Sequence, residues 1–197
     1  FGCSETPSLS VVDVDGLTSA SNVAWNADEF AIAKDSDSTL YTFMNSVTDG
    51  KLAGKRQNSL TPSAGTVDGD MWSTWDNPWD YDLNNDGSES GEQGGVRQIA
   101  AGLNNADGKI YLFGIRVSDS KLLYRVQETG GSSWKFSNWN AVNADGNSVY
   151  LSLTHDLKVT IGDYNAVAVF GVEGSTNRIV YLRKSTSSTD PAVFKKQ

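Results

Sequence analysis

Cysteine and histidine are nearly missing: Cys3 and His155 are the only examples in 197 residues. One cysteine excludes an intrachain disulfide, and with the single histidine far from it in sequence there is no support for a Cys/His nucleophile pair. Cys3, close to the start, reads as an idle thiol, an intermolecular bridge or a lipid anchor. Positive charge is also scarce. Sixteen Lys and Arg face 24 Asp and Glu, a formal net charge of −8 that repels nucleic acid and anionic membrane surfaces and suits cations. No apolar run approaches the length of a bilayer span, and no Asn-x-Ser/Thr sequon marks N-glycosylation. The chain opens at Phe1 without an initiator Met, the pattern expected of a product whose targeting segment has been removed.

What is present is glycine, serine, threonine and short β-branched runs. Nineteen glycines, with 38% hydrophobic and 20% charged residues, describe a loop-rich chain with little helix, and its length fits one domain over residues 1–197. Strand signals recur at 8–16, 39–44, 96–103, 109–117, 121–127, 148–153, 157–161, 165–172 and 178–183. Asn26 with Glu29 has a capping-box spacing, whereas Phe30 and Ile32 alternate as in a strand, so residues 22–34 stay open between helix and strand. Residues 46–65 read as loop. Ile110–Ile115 followed by Leu122–Tyr124 matches Val167–Val172 followed by Ile179–Tyr181 without a gap, and a looser hairpin occupies 30–43. The expected fold is all-β: a single antiparallel, jelly-roll-like β-sandwich with a long acidic loop, or, as the alternative, a small propeller of repeated hairpins.

Residues 66–95 carry the densest chemistry. Asp80, Asp82, Asn84, Asp86, Ser88 and Glu92 set oxygen ligands at mostly alternate positions around Gly87, the pattern with which a loop wraps calcium. The twelfth position, counted from Asp82, is Gln93 where an EF-hand has Glu, and the flanks do not read as helices, so the loop is expected to be EF-like within a β protein. Asp13/Asp15, Asp35/Asp37, Asp68/Asp70 and Asp80/Asp82 are further Asp-x-Asp pairs; on strands they would place two carboxylates side by side, although outside 80–92 they read as turn residues. Trp72, Trp75, Trp79 and Tyr81 can form a stacking platform for sugar rings, and Trp134 with Trp139 a second one.

The series Val67-Asp-Gly-Asp-Met-Trp72, an acidic loop, a strand and then Asp107-Gly-Lys-Ile-Tyr-Leu-Phe113 resembles the family 9 carbohydrate-binding modules and DOMON-like β-sandwiches of secreted proteins. A rival resemblance, carried by Asn105–Phe113 with Trp134 and Trp139, is to the blades of bacterial and fungal tandem-repeat lectin propellers. Either implies a carbohydrate-binding domain at the cell surface or outside the cell.

With no nucleophile pair, a non-enzymatic role is expected, since abundant carboxylates alone do not make a two-acid glycosidase. The first expectation is an extracellular structural subunit, stabilised by Ca2+, that assembles with copies of itself into a filament or tube. Residues 1–16 would be the exchanged N-terminal strand, burying Leu9, Val11, Val12 and Val14 in a neighbour's sheet. The alternative is a carbohydrate-binding module or lectin that holds a polysaccharide on the tryptophan-rich face. If the acidic loop binds calcium only in the folded chain, a hundredfold excess of the ion over Kd adds about 2.7 kcal/mol. Thermal melts with and without chelator should then differ; superimposable curves would remove calcium from the account.

Overall fold

The computed structural model describes residues 27–46, 52–56, 95–128, 136–162, 165–184 and 193–196. Within them the chain is all-β, with no helical element and no closed barrel. Three sheets pack face to face, so the expected sheet-on-sheet architecture holds with one layer more than a simple pair.

The first sheet is β1 (Ala27–Lys34), β2 (Leu40–Ser46) and β3 (Leu52–Arg56), in that order. The alternation of Phe30 and Ile32 prevails over the capping-box spacing of Asn26 and Glu29, and residues 27–34 are strand. The middle sheet runs β4 (Val96–Asn104), β5 (Lys109–Arg116), β6 (Leu122–Val126) and β7 (Asn140–Ala141). The third sheet contains β8 (Asn143–Ala144), β9 (Asn147–Ser148), β10 (Lys158–Ile161), β11 (Val167–Val172), β12 (Ile179–Lys184) and β13 (Val193–Lys196), ordered β10-β11-β12-β13-β8-β9. All pairs are antiparallel except β13 with β8. The stretch 148–153 is less strand than its composition suggests: only Ser148 belongs to one, while Tyr150 and Leu151 make isolated bridges.

Side chains on a strand alternate between faces, and the middle sheet uses both. Tyr111, Phe113 and Ile115 of β5, with Leu122, Tyr124 and Val126 of β6, pack against Val167, Val169, Val180, Leu182 and Phe194 of the third sheet. Ile110, Leu112 and Leu123, on the other face, pack against Ala31, Ala33, Tyr41, Phe43 and Leu52 of the first. Every residue of β6 is therefore buried. Trp139 lies in the second of these clusters, fully buried, with the Arg125 guanidinium 5.6 Å from its ring. It is core, not a sugar platform, because its ring is consumed by packing between sheets.

The internal repeat is a repeat of register. Tyr111 pairs with Val126, Phe113 with Tyr124 and Ile115 with Leu122. At one constant offset along the chain, Ala168 pairs with Arg183, Phe170 with Tyr181 and Val172 with Ile179. Gly114 and Gly171 are equivalent in this scheme, and each lets a side chain close on the strand: a methyl there would meet Val96 at 2.9 Å and Leu151 at 2.6 Å.

β1, β4 and β10 are each an edge strand of their sheet, and the three converge with β4 between the other two. Gly102 of β4 makes that approach possible, since a methyl there would lie 2.5 Å from Val159 Cγ1. Val is stiff at χ1 and cannot swing away without strain. Gly102→Ala should cost about 1–3 kcal/mol by overpacking. Adding Val159→Ala should return part of it, so chemical denaturation of the four chains in a double-mutant cycle would show strong coupling. Additive losses would mean that the contact does not set the spacing of β4 and β10.

Candidate functional site

The convergence of these three edge strands leaves a crevice open at both ends. At the end where the strands begin, a cleft of about 420 Å³ is lined by Glu29, Arg97, Gln98, Val117, Leu153, Thr154 and Asp156. A neighbouring hollow of about 230 Å³ adds Phe30, Ile99, Leu157 and Lys158. At the far end a wider cavity of about 780 Å³ is bordered by Ile32, Asp35, Ser36, Asn105, Thr160 and Ile161, among others.

The cleft is held by a buried amide. Asn45, on β2 and wholly buried, accepts a hydrogen bond from the Glu29 N–H at 3.0 Å and donates one from Nδ2 to the Val96 carbonyl at 3.2 Å. It therefore fixes the start of β1 against the start of β4, and Glu29 comes to line the same cleft as Arg97 and Gln98. The register of β4 against β5 breaks between Arg97 and Ala100, a bulge that re-aims the residues inside it. Gln98 is in that bulge. Its φ of 53° lies in the left-handed region, which costs a residue with a Cβ about 1–2 kcal/mol. It is only 6% exposed, and its side-chain oxygen Oε1 is buried with no hydrogen-bond partner. Leaving such an acceptor unpaired costs about 1–3 kcal/mol more. Two local costs on one cleft-lining residue are the pattern by which strain marks a working site.

Across the cleft, Thr154 and Asp156 belong to an exposed loop, where Ser152 Oγ and Thr154 Oγ1 are 2.8 Å apart and Lys158 pairs with Asp156 at 3.1 Å. Beside Val117, the turn after β5 is closed by Arg116, which donates from Nε and Nη2 to Asp119 at 2.9 and 2.6 Å. That hydrogen bonding holds the Asp119 carboxyl down to about 2. A depressed carboxylate stabilises the fold above its ordinary range, and here the contribution fades as the pH falls toward 2. His155 is exposed in the same loop and takes no visible part in the site.

At the far end most polar groups are tied into the fold, and Asp35 Oδ2 and Asn104 Nδ2 are buried there without a hydrogen-bond partner. Asp35 is not one half of a carboxylate pair on a strand: it lies in a turn, where its Oδ1 accepts from the Asp37 and Thr39 N–H groups, each at 2.9 Å. Asp107 accepts from the Tyr111 hydroxyl at 2.9 Å and lies 3.8 Å from Lys184 Nζ, which approaches the Tyr111 ring. Burial, then the Asp107 charge, push the Tyr111 phenol well above its usual range, so it stays a donor.

The expected metal ligands Asp80, Asp82, Asn84, Asp86, Ser88 and Glu92 lie outside the described residues. So do the platform residues Trp72, Trp75, Trp79 and Tyr81, Trp134 of the second platform, and the exchange strand with Leu9, Val11, Val12 and Val14. Among the described residues no group of three or more His, Cys, Asp or Glu side chains converges as a metal site, and no helix is long and apolar enough to cross a membrane. None of the cleft residues was picked out from sequence; a polar Arg-Gln pair at the head of an otherwise apolar strand was the available hint.

No protein-family model and no curated protein matches the chain. Among solved structures, 85% of the chain overlays 36% of an exo-β-1,3-galactanase from Clostridium thermocellum, at 10% identity and a TM-score of 0.47. The chain thus spans about a third of that protein. It also overlays 97% of a fucose lectin from Kordia zhangzhouensis, solved with methyl-fucoside, using 86% of its own length at 12% identity and a TM-score of 0.41.

If Gln98 is strained for a ligand and not for the fold, Gln98→Gly should melt at the wild-type temperature or a few degrees above it. Gln98→Val, with a β-branched side chain forced into a left-handed conformation, should melt lower. A fall in melting temperature for the glycine variant would show instead that the residue supports the fold.

Proposed function

We propose that the chain is a non-catalytic carbohydrate-binding domain whose site is the cleft at the heads of β1, β4 and β10. The observation that carries this reading is Gln98: a buried, left-handed residue with an unpaired amide oxygen, among a carboxylate, a guanidinium, a hydroxyl and a second carboxylate. Sugar hydroxyls are at once donors and acceptors. Planar side chains such as Glu29, Asp156, Arg97 and Gln98 match them, while Val117 and Leu153 offer apolar surface to the C–H faces of a ring. The exposed ring of Phe30 in the adjoining hollow extends that surface. A position outside the cell and a calcium ion in the acidic loop accord with this reading. Polymerisation through residues 1–16 draws on no feature of the cleft, and the carbohydrate reading is preferred to it.

Glu29 and Asp156 are assigned as hydroxyl acceptors. A glycan array followed by calorimetry on the best-retained sugar should give a saturable Kd, and Gln98→Gly and Arg97→Ala should each weaken it at least tenfold in chains that melt normally. Failure to retain any glycan at millimolar concentration would refute the proposal. Release of reducing sugar from a bound polysaccharide, lost in Glu29→Gln or Asp156→Asn, would make the domain a glycosidase.

A further inference from the structure

The crevice on which β1, β4 and β10 converge is longer than the cleft at its head. The cleft and the neighbouring hollow share Glu29 and Asp156. From there the lining steps along all three strands together: Phe30, Ile99 and Lys158 in the hollow, then Ile32, Gly102 and Thr160 in the far cavity. The three spaces are thus successive stretches of one groove, with β1 and β10 beside it and β4 between them. Gln98 at its head and Asn105 at its far end are separated by roughly 20 Å of extended chain. Among the described residues eight large apolar side chains are exposed, and five of them, Phe30, Ile32, Val117, Leu153 and Ile161, line this groove.

The two ends of the groove are alike in chemistry. At the head, Gln98 Oε1 is buried without a partner. At the far end, Asp35 is 1% exposed and borders the wide cavity. Its Oδ1 is taken up by the Asp37 and Thr39 N–H groups of the turn, and its Oδ2 is left with no partner. A buried carboxylate oxygen with nothing donating to it is costlier still than an amide oxygen. Charges along the groove balance, with Glu29, Asp35 and Asp156 against Lys34, Arg97 and Lys158. Resting on the carbohydrate reading above, we infer that the groove takes an internal stretch of a linear, neutral polysaccharide, whose hydroxyls donate to Gln98 Oε1 at one end and to Asp35 Oδ2 at the other. Between these anchors the C–H faces of the sugar rings lie on Phe30, Ile32 and Ile161. A polyanionic glycan is disfavoured, since the described lining offers it no surplus of cations and the chain as a whole carries −8. A lone terminal sugar would fill one hollow and leave the other buried acceptor unanswered.

Calorimetry on the full-length chain tests this with neutral cello-, xylo-, laminari- and galacto-oligosaccharides, each as disaccharide and hexasaccharide, and a galacturonan hexasaccharide as the charged control. In at least one neutral series the hexasaccharide should bind one per chain and at least tenfold more tightly than the disaccharide. Asp35→Asn keeps the turn, because the Asp37 and Thr39 N–H groups hold the amide oxygen in the place of Oδ1 and aim its NH2 where Oδ2 was. In that variant the gain from disaccharide to hexasaccharide should vanish. If Asp35→Asn melts lower than the wild type, Ile161→Ser, at a half-exposed position on the same cavity and outside the turn, replaces it with the same expectation. Equal affinity for disaccharide and hexasaccharide, or a gain that survives in the variant, would overturn the groove while leaving a sugar site at Gln98. Two disaccharides bound independently per chain would overturn it as well, by making the ends separate sites. Tightest binding of the galacturonan hexasaccharide would overturn the assignment of a neutral chain. Retention of no sugar at all would overturn the carbohydrate reading and this inference with it.

Discussion

Three buried side-chain amides hold the sheets in their places, and the site depends on them. Asn45 links the first sheet to the head of β4. Asn104, at the other end of β4, accepts a hydrogen bond from the Val167 N–H of the third sheet at 3.0 Å. Gln127 accepts from the Ile110 N–H and donates to the Tyr41 hydroxyl, each at 3.2 Å, joining the middle sheet to the first. All three are fully buried. Apolar packing alone would let two sheet faces slide, because dispersion and burial have little direction; a buried amide has direction, and leaving it unpaired is costly. These residues convert a sliding contact into a fixed offset between sheets, and the offset brings Glu29 to Arg97 and Gln98.

The two-faced burial of the middle sheet follows from the same arrangement. Strands β5 and β6 have no polar alternation because neither face meets water, whereas β12, exposed on one side, alternates as expected of a half-buried strand. Exceptions are paired: Arg125, fully buried in β6, lies over Trp139, where the delocalised cation exchanges water for an aromatic face.

Much of this was legible in the residues. The apolar runs of β4, β5, β6, β11 and β12 announce themselves, and so does the duplicated hairpin, since register is a property of spacing that turns preserve. Strand β3 was hidden because Leu52 is its one large apolar residue amid glycine and lysine, and β13 because its buried Phe194 is followed by the exposed Lys195 and Lys196. The stretch 148–153 was overread for the converse reason, as Tyr150 and Leu153 are apolar yet exposed. Trp139 could not be told from a platform residue, because core and platform ask for the same side chain. The cleft was the least legible part: the left-handed turn of Gln98 arises from a register shift between two strands, and no local residue preference encodes it.

The meeting of β1, β4 and β10 has a consequence for solubility. Among the described residues each is an edge of its sheet, paired with a strand on one side only, and such edges are templates for aggregation. The fold turns all three toward a shared crevice with Lys34, Asp156 and Lys158 at its margins, and charged side chains at an edge are one means by which sheets discourage pairing with other chains.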